Sequence, residues 1–151
     1  VVDDRLSVFV ELSAYLTGFA VVDLYGTGMA PAYLATVDAQ TPPDVARAFF
    51  TQAVDVLRLG DRVAIEAAIR EQVFPADRYG GLAQNVIVLW YLGQWAPTVN
   101  ANGVDLETVR NVSAEAYVQG LVWTAAQTHP PGAKQQGYGA WAQPPLTETA
   151  R

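Results

Sequence analysis

Residues 129–145 constrain the fold more than any other stretch. They read His129-Pro130-Pro131-Gly132-Ala133-Lys134-Gln135-Gln136-Gly137-Tyr138-Gly139-Ala140-Trp141-Ala142-Gln143-Pro144-Pro145. Four prolines remove backbone donors and three glycines raise the entropy lost on ordering, so the segment is neither a helix interior nor a central strand. An extended strap is the conformation left to it. Tyr138 and Trp141 are too apolar for a solvated tail, so the strap is laid on something, either its own domain or a partner. The chain divides accordingly into a domain over 1–128 and a Pro/Gly-rich arm over 129–151.

Upstream, apolar spacing is helical. Leu6, Phe9, Val10, Leu12, Ser13 and Leu16 form one stripe that Gly18 stops, with Asp3 and Asp4 at the end where a helix favours negative charge. Residues 19–27 are ambiguous between a loop and a short strand. Residues 29–39 predict a short helix with Tyr33, Leu34 and Val37 on one side. Thr41-Pro42-Pro43-Asp44 predicts a helix start with Thr41 as N-cap, and Gly60 ends that helix. Asp61 caps the next one, which Pro75 halts. Residues 82–95 are the most hydrophobic segment and predict a central helix closed by Pro97, with Trp90, Tyr91 and Trp95 read as core. A polar connection over 96–111 carries the turn signal Asn102-Gly103, and a last helix spans 113–128. The expectation is an all-α bundle of five or six helices with a C-terminal arm.

Composition narrows the function. A chain of 151 residues is one domain by length, and a charged fraction of 16% against 51% hydrophobic residues fits either an alanine-rich helical domain or a subunit that hides surface in a complex. A net charge of −6, one lysine and scattered arginines argue against nucleic acid and against anionic membrane surfaces. The absence of cysteine excludes disulfides, thiolate metal sites and CxxCH haem attachment on this chain. The longest apolar run, 86–92, is far short of the roughly 20 residues of a membrane span. The chain opens Val1-Val2-Asp3-Asp4 rather than with methionine, as removal of a leader would leave it.

No set of side chains here makes a self-sufficient enzyme. His129, the only histidine, directly follows the last helix, where a cation favours the C-terminal carbonyls; no local spacing supplies it with a nucleophile and an orienting carboxylate. Lys134, the only lysine, sits outside any phosphate-loop pattern. No Glu-x-x-His pair is present for a di-iron bundle, and Asp55, Glu66 and Glu71 read as solvated faces. Asn111-Val112-Ser113 fits a glycosylation acceptor but reads better as a helix cap. No catalytic, cofactor or metal residue is assigned. The candidate functional residues are a partner interface: His129, Pro130, Pro131, Lys134, Tyr138 and Trp141, with the two aromatics as anchors.

Three stretches then carry a family resemblance. Leu12-Ser13-Ala14-Tyr15-Leu16-Thr17-Gly18 is similar to the opening motif of the small subunits of membrane-bound flavin-dependent sorbitol, fructose and glucose dehydrogenases. Leu89-Trp90-Tyr91-Leu92-Gly93 resembles their central helix motif, and residues 129–145 resemble the terminal motif of the sorbitol dehydrogenase branch. The resemblance implies a bacterial periplasmic complex held at the inner membrane. In it a large FAD-containing subunit oxidises a sugar or polyol, and a cytochrome c subunit often passes electrons to the quinone pool. The small subunit binds no cofactor, helps the flavoprotein mature, and often carries a twin-arginine export signal for both; no twin arginine occurs in these 151 residues. Two rival expectations stand beside it: a free-standing helical module that holds a small apolar ligand near Trp90 and Trp95, and a small enzyme that uses His129 with a carboxylate distant in the sequence.

Overall fold

The computed structural model describes residues 4–100, 103–105 and 107–133. Lys134, Tyr138 and Trp141, and with them most of the arm, lie outside the described residues. The described chain is all-α, as its periodicity predicts.

Local capping sets most helix ends. In α1 (Arg5–Thr17) the Asp4 carboxylate accepts the Leu6 N–H at 3.3 Å, and Gly18 closes the helix in the left-handed region with its N–H on the Ala14 carbonyl. The ambiguous stretch after it is helical: α2 (Val21–Gly26) is under two turns long, too short for a period to show in the sequence. α3 (Ala30–Gln40) buries Ala30, Tyr33 and Val37. Thr41 is not the N-cap of the next helix. It ends α3 in extended backbone (φ −118°, ψ 134°), and α4 (Pro43–Leu57) starts one residue later than the spacing suggests. The cause is the proline pair: a residue before proline is pushed out of the helical region, so Pro42 stays at ψ 136° and Pro43 opens the helix. Asp61 does cap α5 (Arg62–Ala68), accepting the Ala64 N–H at 2.9 Å, and a π turn over Ile69–Val73 extends that helix.

The central helix α6 (Gly80–Leu92) packs against α1, α7 and α8. It ends at Gly93, in the left-handed region, rather than at Pro97. Trp90 is 1% exposed, stacked on Phe9 at 6.1 Å and edge-on to Tyr33 at 4.9 Å between centroids. These rings with Phe49, Leu12, Leu24 and Leu89 form the centre of the core. Asn85 is fully buried in the same helix. It donates to the Ala96 carbonyl at 2.8 Å and accepts the Ala96 N–H at 2.9 Å, which ties the following loop to the core.

The connection after α6 makes two small antiparallel ladders. β1 (Gln94–Trp95) pairs with β4 (Arg110–Asn111), and β2 (Thr98–Asn100) pairs with β3 (Gly103–Val104). Ser113 then caps α7 (Ala114–Gln119) by accepting the Ala116 N–H at 2.9 Å. The last predicted helix is broken at Gly120 (φ −54°, ψ 132°) into α7 and α8 (Leu121–Ala125). A side chain at 120 would have its Cβ 2.7 Å from the Tyr91 carbonyl oxygen, so the break is where α6 and this segment touch backbone to backbone. No helix among the described residues is long and apolar enough to cross a membrane.

Candidate functional site

The motif at the end of α1 and the motif at the end of α6 meet. Ser13, fully buried, donates to the Phe9 carbonyl at 2.7 Å, and Thr17 donates to the Ser13 carbonyl at 2.8 Å. The Thr17 side chain also accepts the Phe19 N–H at 3.3 Å, which turns the chain out of the helix. The Thr17 carbonyl, free of an intrahelical donor at the helix end, accepts the Tyr91 hydroxyl at 2.8 Å. The Tyr91 ring lies edge-on to Phe19 at 6.0 Å. Leu12, Leu89 and Trp90 of the two motifs go to the core, while Thr17, Gly18, Tyr91 and Gly93 build one corner.

Gly93 takes that corner to α7. It sits at φ 65°, its N–H on the Leu89 carbonyl at 2.8 Å, and a Cβ there would lie 2.4 Å from the Ala116 carbonyl carbon and oxygen. The Val112 N–H donates to the Gly93 carbonyl at 2.9 Å. Across the break at Gly120, the Trp123 indole N–H donates to the Tyr117 carbonyl at 2.7 Å and the two rings meet edge-on at 5.3 Å.

The chain reaches the arm from here. The carbonyls of the last turn of α8 are met by backbone N–H groups: Gln127 donates to Thr124 at 3.0 Å and Thr128 donates to Trp123 at 2.8 Å, with Gln127 in the left-handed region at φ 53°. That is the bond pattern of a Schellman cap, made here without glycine. So capping by His129, the role its position suggests, is supplied by backbone at these carbonyls. His129 is half-buried, Pro130 is buried and Pro131 is exposed. Pro130 turns the chain, its carbonyl accepting the Ala133 N–H at 3.1 Å.

His129 and Pro130 lie in a groove of about 490 Å³ between α2 and α8, with Phe19, Asp23, Thr27 and Trp123 among its walls. Of the sequence-derived interface residues, the structure therefore brings His129 and Pro130 beside α2 and the Phe19–Tyr91 contact. Lys134, Tyr138 and Trp141 lie outside the described residues. Trp95 edges a different groove, of about 890 Å³, between the end of α3 and the β1–β4 ladder, whereas Trp90 is sealed in the core.

Sequence reasoning missed α2. Its Val21, Val22 and Tyr25 are exposed while Leu24 is buried. The pair Val21-Val22 was the available signal, but six residues carry no readable period. Comparison with protein-family models, with curated proteins and with solved structures gives no match.

Proposed function

We propose that this chain is the non-catalytic small subunit of a periplasmic flavin-dependent sugar or polyol dehydrogenase complex. It binds the large FAD-containing subunit, stabilises and matures it, and helps its export. A partner that binds only the native state stabilises that state by mass action. The arm supplies Tyr138 and Trp141 as anchors, and His129, Lys134 and the prolines preset its path and lower its ordering cost. FAD belongs to the large subunit in this reading, and haem c to a third subunit where one is present.

One observation carries the reading furthest. The three stretches that resemble the family are far apart in sequence, yet their described parts adjoin one corner: Thr17 bonded to Tyr91, Tyr91 against Phe19, and Phe19 in the groove that holds His129 and Pro130.

Affinity purification of the chain from its native host tests this. The expected result is a stoichiometric partner of flavoprotein size with a flavin absorption spectrum, and dehydrogenase activity that falls with Tyr138→Ala and Trp141→Ala. A lone, colourless, stable monomer would refute the proposal.

A further inference from the structure

Most of the large apolar side chains that this fold leaves in water belong to two segments. Among the described residues the exposed large hydrophobics are Val21, Val22 (73%), Tyr25 (45%), Leu59 (51%), Val63 (73%) and Leu92. Three belong to α2. Leu59 and Val63 belong to the corner between α4 and α5. A groove of about 570 Å³ joins the two, walled by Val21 and Phe19 on one side and by Leu57, Gly60 and Ile65 on the other. α2 is thus a ridge between two grooves, this one and the groove that receives His129 and Pro130, which Val22 also lines.

We propose that this ridge and the α4–α5 corner form the docking face for the large subunit, continuous with the root of the arm; the inference rests on the subunit reading given above. The face asks for an apolar protein surface bordered by cationic side chains. The charge around it says so. Arg62 is paired with Glu66 at 2.8 Å, so the acidic groups Glu11 and Asp23 on the two groove walls are left in excess. A like-charged second copy would bring Glu11 and Asp23 against their own equivalents under a two-fold axis, on a chain of net charge −6. The arm gives the second argument. The described residues end at Ala133, one short turn beyond Pro130, which is buried in the groove beside α2, and 18 further residues follow in the sequence. A partner seated on α2 is adjacent to the root of the arm at His129 and Pro130.

The test uses the affinity-tagged full chain in its native host. Photo-crosslinking side chains are placed at Val22 and Val63, and at Thr51 and Gln40 outside the face. Val22→Asp and Val63→Asp are made separately; both positions are in water, so the bundle itself tolerates them. Crosslinks from 22 and 63 to the flavoprotein, with about tenfold or greater loss of co-purifying flavin in the aspartate variants, are expected. Flavoprotein that co-purifies undiminished with both variants and crosslinks from 51 or 40 overturns the face and leaves the subunit reading standing. Crosslinks from 22 and 63 to a second copy overturn it too. Absence of any flavoprotein from the wild-type preparation overturns both.

Discussion

Gly18 and Gly93 occupy the same backbone region, at φ 78° and 65°, and both close a helix with an N–H bonded four residues back. Their surroundings differ. A Cβ at Gly18 meets nothing within 4 Å, whereas one at Gly93 lies 2.4 Å from the carbonyl carbon and oxygen of Ala116 and 2.8 Å from the Tyr117 nitrogen. Alanine at either site bears the left-handed penalty of about 1–2 kcal/mol. Only at Gly93 does it also strike backbone, which cannot rotate away as a side chain does. α7 must then move, and with it the Gly120 contact on the Tyr91 carbonyl. Overpacking of this kind adds about 1–3 kcal/mol or more. Gly18→Ala is therefore expected to lose about 1–2 kcal/mol and Gly93→Ala about 2–5 kcal/mol.

Urea denaturation of the two variants, followed by far-UV circular dichroism at fixed pH and salt, measures the difference. It isolates the close approach, because the conformational strain is common to both. Equal losses would refute the claim that α6 and α7 touch through Gly93. A Gly93→Ala chain that keeps its stability but loses its partner would place the effect at the interface instead. A Gly18→Ala loss larger than that of Gly93→Ala would overturn the reasoning altogether.

Three further outcomes are expected. Asn85→Ala strands the Ala96 N–H and carbonyl in a buried site, and a loss of about 2–4 kcal/mol in the same urea assay checks it, since each buried group left unpaired costs about 1–3 kcal/mol. Tyr33 is 1% exposed and its hydroxyl has no partner among the described residues; burial pushes that phenol well above its ordinary value near 10, so the folded state keeps the proton longer than the unfolded one. The wild type should lose stability above pH 10 at up to about 1.4 kcal/mol per pH unit, and Tyr33→Phe should flatten that slope and be more stable at pH 7, with thermal melts between pH 7 and 11 as the readout. Gln127→Gly relieves a left-handed non-glycine residue in the α8 cap, and a rise of about 0.5–1 kcal/mol is expected, read as an increase in melting temperature.

The parts of the fold that were legible in the sequence are those decided within a few residues. Asp4 with Gly18, Asp61 with its helix, and Ser113 with α7 act through side chains and backbone a turn apart, so spacing alone reveals them. Trp90 was legible as core because a run as apolar as its helix has nowhere else to go. What was not legible depends on contacts between distant segments. Nothing near Gly120 says that the Tyr91 carbonyl will press on it and split a helix. Asn85 reads as a polar intruder in an apolar helix until Ala96 is found opposite it. Thr41 looked like a cap because Ser and Thr usually are before a helix; the Pro42-Pro43 pair moved the start by one residue, a local effect that outweighed the pattern. The proposed interface was half legible. The arm announces itself by composition, while α2 carries no periodic signal and shows its exposed valines only when Leu24 beside them is seen to be buried.

The corner built by Thr17, Tyr91, Gly93 and Gly120 also explains why so much close backbone packing gathers at one end of the bundle. An arm with aromatic anchors is useful to a binding protein only if its root is fixed, because every freely rotating residue ahead of the anchors adds ordering entropy that docking must overcome. Here the root is held through a series of contacts that leaves little freedom. Tyr91 locks α6 to α1, Gly93 and Gly120 lock α7 and α8 to α6, the backbone cap at Gln127 and Thr128 turns the chain sharply out of α8, and Pro130 is buried beside α2. His129 enters the groove as a consequence of that path, and its place there needs no catalytic role. Tyr138 follows Pro130 by eight positions in the sequence, so in the proposed interface the anchors are tethered to a root that lies beside Val22. The tether raises the effective concentration of one contact once the other has formed. In that proposal a ridge of modest apolar area and an arm with two aromatics, each weak alone, act as one interface.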